Sequence, residues 1–474
     1  MKNFTFTTND YLIILGYFIA VLVIGFKTKP ADDSAKEYFI AGRTLTLPAF
    51  VATLVSTFYG GILGIGEFTF KYGISGWFLY AFPFYVFIII FAFFLASKVR
   101  KAHLYTIPDK LDKVYGKKVS IFGGVLIFFL STPAPYLFMM GILLNSIFTL
   151  GVTASMVVTL GLSTAFLFRG GLKSDVRVNI FEFFVMFIGF GIILPFCFNA
   201  LGGTDYITSR LPEKFLTVTG GNSLQYIIVW FFIGAWVLVD PSFHQRCYSA
   251  KNKNTPRRGI LISLVFWIIF DFMTTMTGLY AKAYFMDDLK NPLLSFPAFG
   301  NIMLPPIAKG VFFLGMIATI MSTLHSYIFI SSNSFGRDIV ARLRNETETQ
   351  KLYNYSGIIV SSVFALLIAY FIPSVINIWY TIGTLIIPPL LISVVTSYSE
   401  RLQVHSKYIF TAMIASFSLS LLSFILSRIY EIDGRPALLF GMEPMYPGLI
   451  LGLIIYFIGF SKRKHLKVET EYYQ

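Results

Sequence analysis

The chain has few charged side chains and no long polar segment. Only 13% of its 474 residues are charged, whereas 56% are hydrophobic and 52 are phenylalanine. A soluble globular domain of this composition could not cover its surface with polar groups. The sequence therefore predicts a membrane protein with the lipid bilayer as its solvent, and it leaves no segment for a sizeable domain outside the membrane.

Cysteine is almost absent, and so are the signatures of catalysis. The two cysteines, Cys197 and Cys247, are predicted to lie at opposite faces of the membrane, so neither a disulfide nor a metal site is expected. The sequence contains no HExxH motif, no nucleotide-binding loop, no Ser/His/Asp order and no paired catalytic carboxylates. We therefore expect neither an enzyme nor an organic cofactor.

What the chain does have is a series of long apolar segments. A transmembrane helix needs about 20 mainly apolar residues, because the hydrocarbon layer is about 30 Å thick and offers no water to backbone groups. We predict an all-α polytopic membrane protein with thirteen spans, at residues 10–27, 45–70, 75–97, 119–149, 152–168, 178–199, 223–245, 259–284, 307–335, 353–372, 375–397, 407–428 and 444–461.

Positive residues fall on alternate sides of these spans. With the N-terminus outside, the predicted cytoplasmic segments hold 29 of the 38 lysines and arginines, as the retention of positive loops in the cytoplasm requires. The C-terminus is then predicted to be cytoplasmic, and the first span, which is followed by a basic segment instead of a cleavage site, to be retained. The net charge of +14 follows from this topology and from anionic lipid headgroups, so nucleic acid is not an expected partner.

Two predicted spans contain helix-breaking residues. The second carries Gly60 and Gly61 directly after residues 56–59, and the seventh runs into Asp240 and Pro241. Proline removes a backbone donor, and freed backbone groups survive in a membrane where they line a polar cavity. Paired breaks in corresponding positions of two halves are typical of the midplane binding site of transporters built from inverted repeats. A lone Gly-Gly pair, by contrast, more often reflects close helix packing.

The ninth predicted span carries a stripe of hydroxyl groups. Thr319, Ser322, Thr323 and Ser326 recur at helical spacing and therefore share one face. Such hydroxyls usually bond to their own backbone or to a neighbouring helix. Four on one face, together with the carbonyls of an unwound segment, can instead supply the oxygen ligands that a dehydrated cation needs.

Five stretches of the chain resemble the sodium/solute symporters, a family that includes sodium/glucose, sodium/proline and sodium/sialic acid cotransporters. They occur in family order and are EYFIAGR at 37–43, TLVSTFYGGILGIGE at 53–67, RGGLKSDVRVN at 169–179, VDPSFHQRCYSAK at 239–251 and ATIMSTLHS at 318–326. The resemblance implies a leucine-transporter-like fold of five plus five helices in inverted repeats. Its segments would be an extra N-terminal span and loop (1–44), the first repeat (45–199), an extracellular loop (200–222), the second repeat (223–398), and two additional spans with a cytoplasmic tail (399–474).

The resemblance also implies a sodium site where the first break meets the hydroxyl stripe. Its ligands would be the backbone carbonyls of Ser56 and Tyr59, the carbonyl of Thr319, and the hydroxyls of Ser322 and Thr323. All five ligands are neutral. Sodium binding is therefore expected to be nearly independent of pH above about pH 5.

The titratable and amide residues near this site bear on the coupling ion. Where many family members have an aspartate for a second sodium, this chain has Asn179, which favours one sodium per cycle. Glu182 could replace that charge only if its helix turned it inward, and we expect that it does not. His325 or Glu67 could carry a proton, although a neutral imidazole bonded to a neighbouring helix is the simpler interpretation of His325. Asp240 is expected to form an ion pair or a helix cap at the cytoplasmic gate.

The solute pocket is expected beside the first break. Its candidate residues, all on spans expected around that break, are Thr57, Phe58, Tyr80, Tyr136, Trp236, Asn377 and Tyr380. By resemblance, Trp236 falls where sugar-transporting relatives carry an aromatic inner gate. Aromatic residues are so frequent here that any one of them is more often lipid-facing or packed than part of a site. Asp271, within a predicted span, is a further functional candidate.

Together these patterns favour a sodium-coupled symporter that imports a small polar organic solute by alternating access. We expect a monomer in the plasma membrane, specifically a bacterial inner membrane, with the solute, sodium and the lipid bilayer as partners. Two alternatives stay open: proton coupling on the same scaffold, and a solute sensor that does not transport. The identity of the solute also stays open.

Overall fold

The computed structural model describes residues 4–29, 31–32, 34–346, 351–432, 435–436 and 438–471. Within these ranges the chain is almost entirely helical. The only strands of the described residues are β1 (Glu431–Ile432) and β2 (Arg435–Pro436), which pair antiparallel in a short hairpin. The predicted all-α class is therefore confirmed.

The helices follow one another with short connections. In the first half of the chain they are α1 (Thr8–Lys27), α2 (Ala35–Ile40), α3 (Leu47–Phe58), α4 (Ile62–Tyr72), α5 (Ile74–Tyr80), α6 (Phe82–Ile90), α7 (Ala96–Lys101), α8 (Ile107–Tyr115), α9 (Lys117–Leu130), α10 (Ala134–Phe148), α11 (Val152–Thr164), α12 (Leu167–Leu201) and α13 (Thr204–Arg210). A π-helical turn, Phe91–Leu95, joins α6 to α7, so that residues Ile74–Lys101 form one long span.

The second half continues this pattern. Its helices are α14 (Leu224–Ile233), α15 (Trp236–Val239), α16 (Pro241–Ser249), α17 (Thr255–Phe285), α18 (Ser295–Met303), α19 (Ala308–Asn333), α20 (Lys351–Phe371), α21 (Val375–Ser397), α22 (Ser406–Ile429) and α23 (Met445–Glu471). A second π-helical segment, Ser334–Ala341, extends α19. Short 3₁₀ turns lie at Ala41–Arg43, Glu213–Phe215, Pro292–Leu294, Glu400–Leu402 and Leu439–Gly441.

The number of full-length spans is smaller than the thirteen predicted. Eleven helical stretches of the described residues are long and apolar enough to cross a membrane, and the bent pair α3–α4 makes a twelfth. The segment predicted as a span at 152–168 is the 13-residue helix α11. At 1.5 Å per residue such a helix is about 20 Å long, which is short of the hydrocarbon thickness.

Burial separates a central helix from a lipid-facing periphery. In the span Ala308–Ala341, which contains α19, 94% of the most apolar window is buried, against 33% in α1 and 33% in α22. Helices α19 and α12 approach closely at a pair of glycines, where a Cβ on Gly189 would lie 2.5 Å from the Cα of Gly315. The hydroxyl stripe therefore belongs to the core of the molecule.

Both predicted helix breaks are present. Helices α3 and α4 meet at an angle of 56° across residues 59–61. The span that begins with α14 is interrupted twice, after Ile233 and again at Asp240, whose carboxylate accepts the backbone N–H of Ser242 at 2.7 Å and caps α16. Pro241 fits the first position of α16, because a backbone donor is not needed there.

Candidate functional site

Two walls of oxygen atoms meet where α19 passes the break between α3 and α4. The hydroxyl of Ser322 donates to the backbone carbonyl of Ser56 at 2.9 Å, and that of Thr323 donates to the carbonyl of Thr57 at 2.6 Å. The Ser322 hydroxyl also lies 2.9 Å from the carbonyl of Thr319. Predicted ligands from the two halves of the chain are therefore in direct contact.

The chemistry of this donor set suits a dehydrated cation. The residues Ser56, Thr319, Ser322 and Thr323 are fully buried. Their hydroxyl oxygens keep free lone pairs, which rotation of the O–H bonds can turn towards an ion. Neutral hydroxyl and carbonyl oxygens are ligands that hard cations accept. Tyr59, the fifth predicted ligand residue, is the position at which α3 ends.

Gly60 makes the close approach of these walls geometrically feasible. A Cβ at this position would lie 2.0 Å from Oγ1 of Thr323 and 2.2 Å from its Cβ. Real side chains do not approach so closely, so any larger residue would push α3 and α19 apart. The break between α3 and α4 therefore serves a packing requirement and exposes backbone carbonyls at the same point.

Beside the hydroxyl stripe lies a group of buried ionisable side chains, which we call the buried charge cluster: Tyr17, Asp175, Glu182, Arg246 and His325. Arg246 of α16 pairs with Asp175 of α12 at 2.9 Å. His325 of α19 stands between two carboxylates of α12, 2.9 Å from Asp175 through Nδ1 and 2.9 Å from Glu182 through Nε2. Tyr17 of α1 donates to Glu182 at 2.6 Å. The four charged side chains are 0% exposed.

The position of His325 determines how many protons the cluster holds. Each of its two nitrogen–oxygen contacts needs a hydrogen between the atoms, and an ionised carboxylate brings none. His325 is therefore either an imidazolium between two carboxylates or a neutral ring beside one protonated carboxylate. The expected neutral imidazole bonded to a neighbouring helix therefore requires that one of the two carboxylates is protonated. Glu182, which was expected not to turn inward, is buried in this cluster and contacts His325, not the predicted sodium ligands.

The cluster touches the predicted sodium wall through α3. Arg246 donates to the hydroxyl of Thr57 at 2.9 Å, so the hydroxyl of Thr57 faces the cluster, although the residue was predicted in the solute pocket. Asn179 donates to Asp175 at 3.1 Å and accepts from the hydroxyl of Ser56 at 3.4 Å. The amide of Asn179 is thus engaged with a carboxylate one helical turn away.

An aromatic pocket lies on the other side of α3. Four of the predicted pocket residues, Phe58, Tyr80, Tyr136 and Trp236, line it. The remaining lining residues are Phe84, Trp230, Ile233, Tyr327 and Trp379. Tyr80 stacks on Trp379 with ring centroids 5.3 Å apart. None of these nine residues carries a charge.

Asn377 and Tyr380 lie elsewhere. They line a wider cavity of about 540 Å³ together with Lys71, Arg428 and Glu443, on the side that the charge pattern predicts to be outer. The phenol of Tyr380 donates to Glu443. Trp230 borders both this cavity and the aromatic pocket, so the two spaces are neighbours separated by aromatic rings.

The two remaining predicted residues make local contacts. Glu67 of α4 pairs with Lys71, four residues later, at 2.5 Å, and is only 8% exposed. Asp240 caps α16 and accepts the phenol of Tyr327 at 2.7 Å. A helix cap was one of the two roles expected for Asp240. Neither carboxylate belongs to the buried charge cluster.

Three residues of the site, Asp175, Arg246 and Trp379, were not among those predicted from the sequence. The first two lie within motifs that resemble the family, and opposite charges inside apolar stretches could have marked them as a pair. Trp379 packs against Gly61, directly before α4, where a Cβ would lie 2.3 Å from its ring. The sequence shows that this position is a glycine, but it does not show which side chain packs against it.

Comparisons with known proteins show which family the chain belongs to. A model of the sodium:solute symporter family matches residues 38–403. The chain is 24% identical to the sodium/pantothenate symporter of Haemophilus influenzae in an alignment 476 positions long, which covers 94% of each chain. It is 23% identical to the high-affinity proline transporter of Bacillus subtilis over 374 residues, covering 74% of this chain and 78% of the relative.

The fold is also that of a solved symporter. A substrate-bound, outward-open Na⁺-coupled sialic acid symporter superposes with a TM-score of 0.79 at 16% sequence identity, over 97% of this chain and 98% of the other. This likeness confirms the predicted leucine-transporter-like fold class. The family and these relatives are transporters, not enzymes. Because the family model spans well over half of its length, the chain belongs to the sodium:solute symporter family and is a sodium-coupled membrane transporter.

Proposed function

We propose that the chain imports a small polar organic solute by alternating access, driven by one sodium ion per cycle. The observation that carries this proposal is the contact between the hydroxyls of Ser322 and Thr323 and the carbonyls of Ser56 and Thr57. An ion shared by these oxygens would hold α3 against α19. Since α3 also borders the aromatic pocket through Phe58, sodium and solute would stabilise the same arrangement of helices.

The stoichiometry of one sodium rests on the buried charge cluster. The carboxylate of Asp175 is already paired with Arg246 and contacted by Asn179, so the cluster offers no free negative charge for a second ion. One sodium that enters across a membrane potential gains about 2.3 kcal/mol per 100 mV, enough for roughly 50-fold accumulation of a neutral solute. A single ion therefore makes uptake concentrative.

The direct test is uptake by the purified protein in proteoliposomes. Solutes would first be screened by thermal shift in sodium and in potassium, starting with pantothenate and proline, because these are the solutes that two relatives are named for. We expect uptake of the identified solute to need an inward sodium gradient. A Thr323→Val variant, which removes one hydroxyl at nearly constant volume, should require more sodium for half-maximal uptake.

The alternatives give different results in the same vesicles. Equal uptake rates with and without a sodium gradient, at the same potential and pH, would reject sodium coupling. Uptake that follows a pH gradient in sodium-free buffer would favour the proton-coupled alternative. Solute binding without any uptake would favour a sensor.

The finer organisation belongs to the same proposal. We propose the first repeat at 45–199 and its inverted partner at 223–398, with residues 200–222 between them and the N-terminus outside. In support, the two broken spans, α3–α4 and α14–α16, fall in the second and seventh predicted spans. A monomer in a bacterial inner membrane is the expected working form.

A further inference from the structure

We propose that the solute carries a positively charged nitrogen group, which the aromatic pocket and the adjoining cavity hold against the carboxylate of Asp271. This inference rests on the proposed transport function and adds the chemical class of the solute. It comes from two neighbouring cavities, from the charge of their lining residues, and from one buried carboxylate that has no counter-charge among the described residues.

The first observation is the composition of the aromatic pocket. Eight of its nine lining residues are aromatic and the ninth is Ile233. Aromatic faces attract cations through their negative quadrupole, most strongly where the cation is desolvated, and cages of several rings are a known way to recognise quaternary ammonium groups. The pocket thus offers many cation-binding faces and no charged side chain.

The second observation is a neighbouring cavity that is lined by one charged residue. It shares Phe58, Tyr80 and Phe84 with the aromatic pocket and adds Asp271 of α17 as its one charged lining residue. Asp271 is 4% exposed. The two spaces therefore meet at three shared aromatic rings, and only the second space is lined by a carboxylate.

Asp271 is held in place by hydroxyl groups and not by a cation. The phenols of Tyr59 and Tyr85 each donate to one of its oxygens, and Tyr59 is also hydrogen-bonded to Thr274. Among the described residues no lysine or arginine forms an ion pair with it. Another buried carboxylate, that of Asp175, is paired with Arg246. A carboxylate buried in a membrane protein usually has a cationic partner or marks a ligand pathway.

The carboxylate of Asp271 is the one charged group that lines these two cavities, so the charge of the solute affects how well it fits them. A neutral polyol could stack on the rings but would leave the charge of Asp271 uncompensated. A solute with only a carboxylate would place two negative charges in adjoining cavities that have no basic lining residue. A solute with an ammonium group would satisfy both the rings and the carboxylate.

The test uses the purified full-length protein in detergent and compares two small molecules of equal shape. Choline carries a permanent positive charge, and dimethylbutanol has carbon in place of the charged nitrogen. We expect choline to raise the midpoint of thermal unfolding in sodium more than in potassium, and dimethylbutanol to raise it in neither. Pantothenate and glucose serve as the carboxylate and polyol probes.

Two variants locate the effect. Asp271→Asn should weaken the apparent affinity for choline by about tenfold or more, because it removes the charge at constant shape. Asp287→Asn, which changes a fully exposed carboxylate, should leave the affinity unchanged. The comparison of choline with dimethylbutanol needs no variant, so it decides the question even if Asp271→Asn does not fold.

The possible failures are distinguishable. Equal shifts with choline and dimethylbutanol, or a sodium-dependent shift with pantothenate or glucose and none with choline, would overturn the ammonium proposal and leave sodium symport intact. An unchanged choline affinity in Asp271→Asn would overturn the role of Asp271. If every probe and every transported solute gave the same result in sodium and potassium, the proposed function itself would fail.

Discussion

At the scale of single residues, Gly60 allows the two walls of the predicted sodium site to approach each other closely. Replacing it with alanine would put a methyl group 2.0 Å from Oγ1 of Thr323. Relief of such overpacking typically costs about 1–3 kcal/mol and moves the backbone. We expect Gly60→Ala to raise the sodium concentration needed for half-maximal uptake at least about tenfold, since a displaced α3 no longer shares an ion with α19.

A glycine elsewhere provides the control for that measurement. A Cβ at Gly16 of α1 would meet no atom within 4 Å, so Gly16→Ala should leave the sodium dependence unchanged. If Gly60→Ala kept the sodium dependence of the wild type, the ion would have to bind somewhere other than between these walls.

The buried ion pair of Asp175 and Arg246 should contribute to the stability of the fold. Removing one partner of a buried ion pair leaves an uncompensated charge and costs about 3–5 kcal/mol. Asp175→Asn should therefore lower the free energy of unfolding in detergent by that amount. Asp287→Asn, which removes the exposed partner of Lys282, should produce no measurable change. A stable Asp175→Asn protein would mean that Arg246 finds compensation in other groups around it.

At the scale of helices, local signals predicted the breaks, but not the side chains that fill the space around them. Gly60 and Pro241 act on the backbone of their own helix, so their effect is visible in the sequence. Trp379 of α21 packs against Gly61, directly before α4, and this contact joins residues more than 300 positions apart. The same holds for Arg246, which was counted as a cytoplasmic loop charge and is fully buried in α16.

A group of ion pairs joins α8 to the segment that follows α19, on the predicted cytoplasmic side. Its stability should depend on pH. Asp109 of α8 pairs with Arg337 at 2.7 Å and also with Arg342, both from the segment that follows α19. Burial alone would raise the pKa of Asp109, but the two guanidinium groups outweigh it and hold the pKa below its ordinary value. A depressed pKa contributes stability that is complete above the unfolded-state pKa of about 3.9 and is lost as the pH falls below it.

We therefore expect Asp109→Asn to lower the midpoint of thermal unfolding at about pH 7 to 8, where the Asp109 carboxylate is ionised. Below about pH 4 the wild type should lose this advantage and approach the variant. Asp112→Asn is the matched control, because its side chain is 43% exposed and contacts only Arg342, so its effect should be smaller. An Asp109→Asn variant as stable as the wild type at about pH 7 to 8 would contradict this assignment.

At the scale of the whole molecule, hydropathy predicted thirteen spans, and one of them differs from the others in length. The apolar run at 152–168 is continuous in sequence, yet its helix, α11, ends at Thr164 and is shorter than the other spans. Phe166, two residues later, is fully buried against Gly25 of α1, where a Cβ would lie 2.6 Å from its ring. These two residues are far apart in the sequence, so a hydropathy window cannot detect their contact.

The predicted orientation of the molecule in the membrane can be tested by labelling introduced cysteines, because both native cysteines are buried. Cys197 and Cys247 are both buried, so they should react slowly with a maleimide that cannot cross the membrane. Asp205 of α13 and Lys253, between α16 and α17, are exposed at opposite predicted faces. We expect Asp205→Cys to be labelled in intact cells and Lys253→Cys only after permeabilisation, because positive loops are retained in the cytoplasm. The reverse pattern would overturn the predicted topology; the direction of transport would not change, because the solute moves with sodium down the sodium gradient in either orientation.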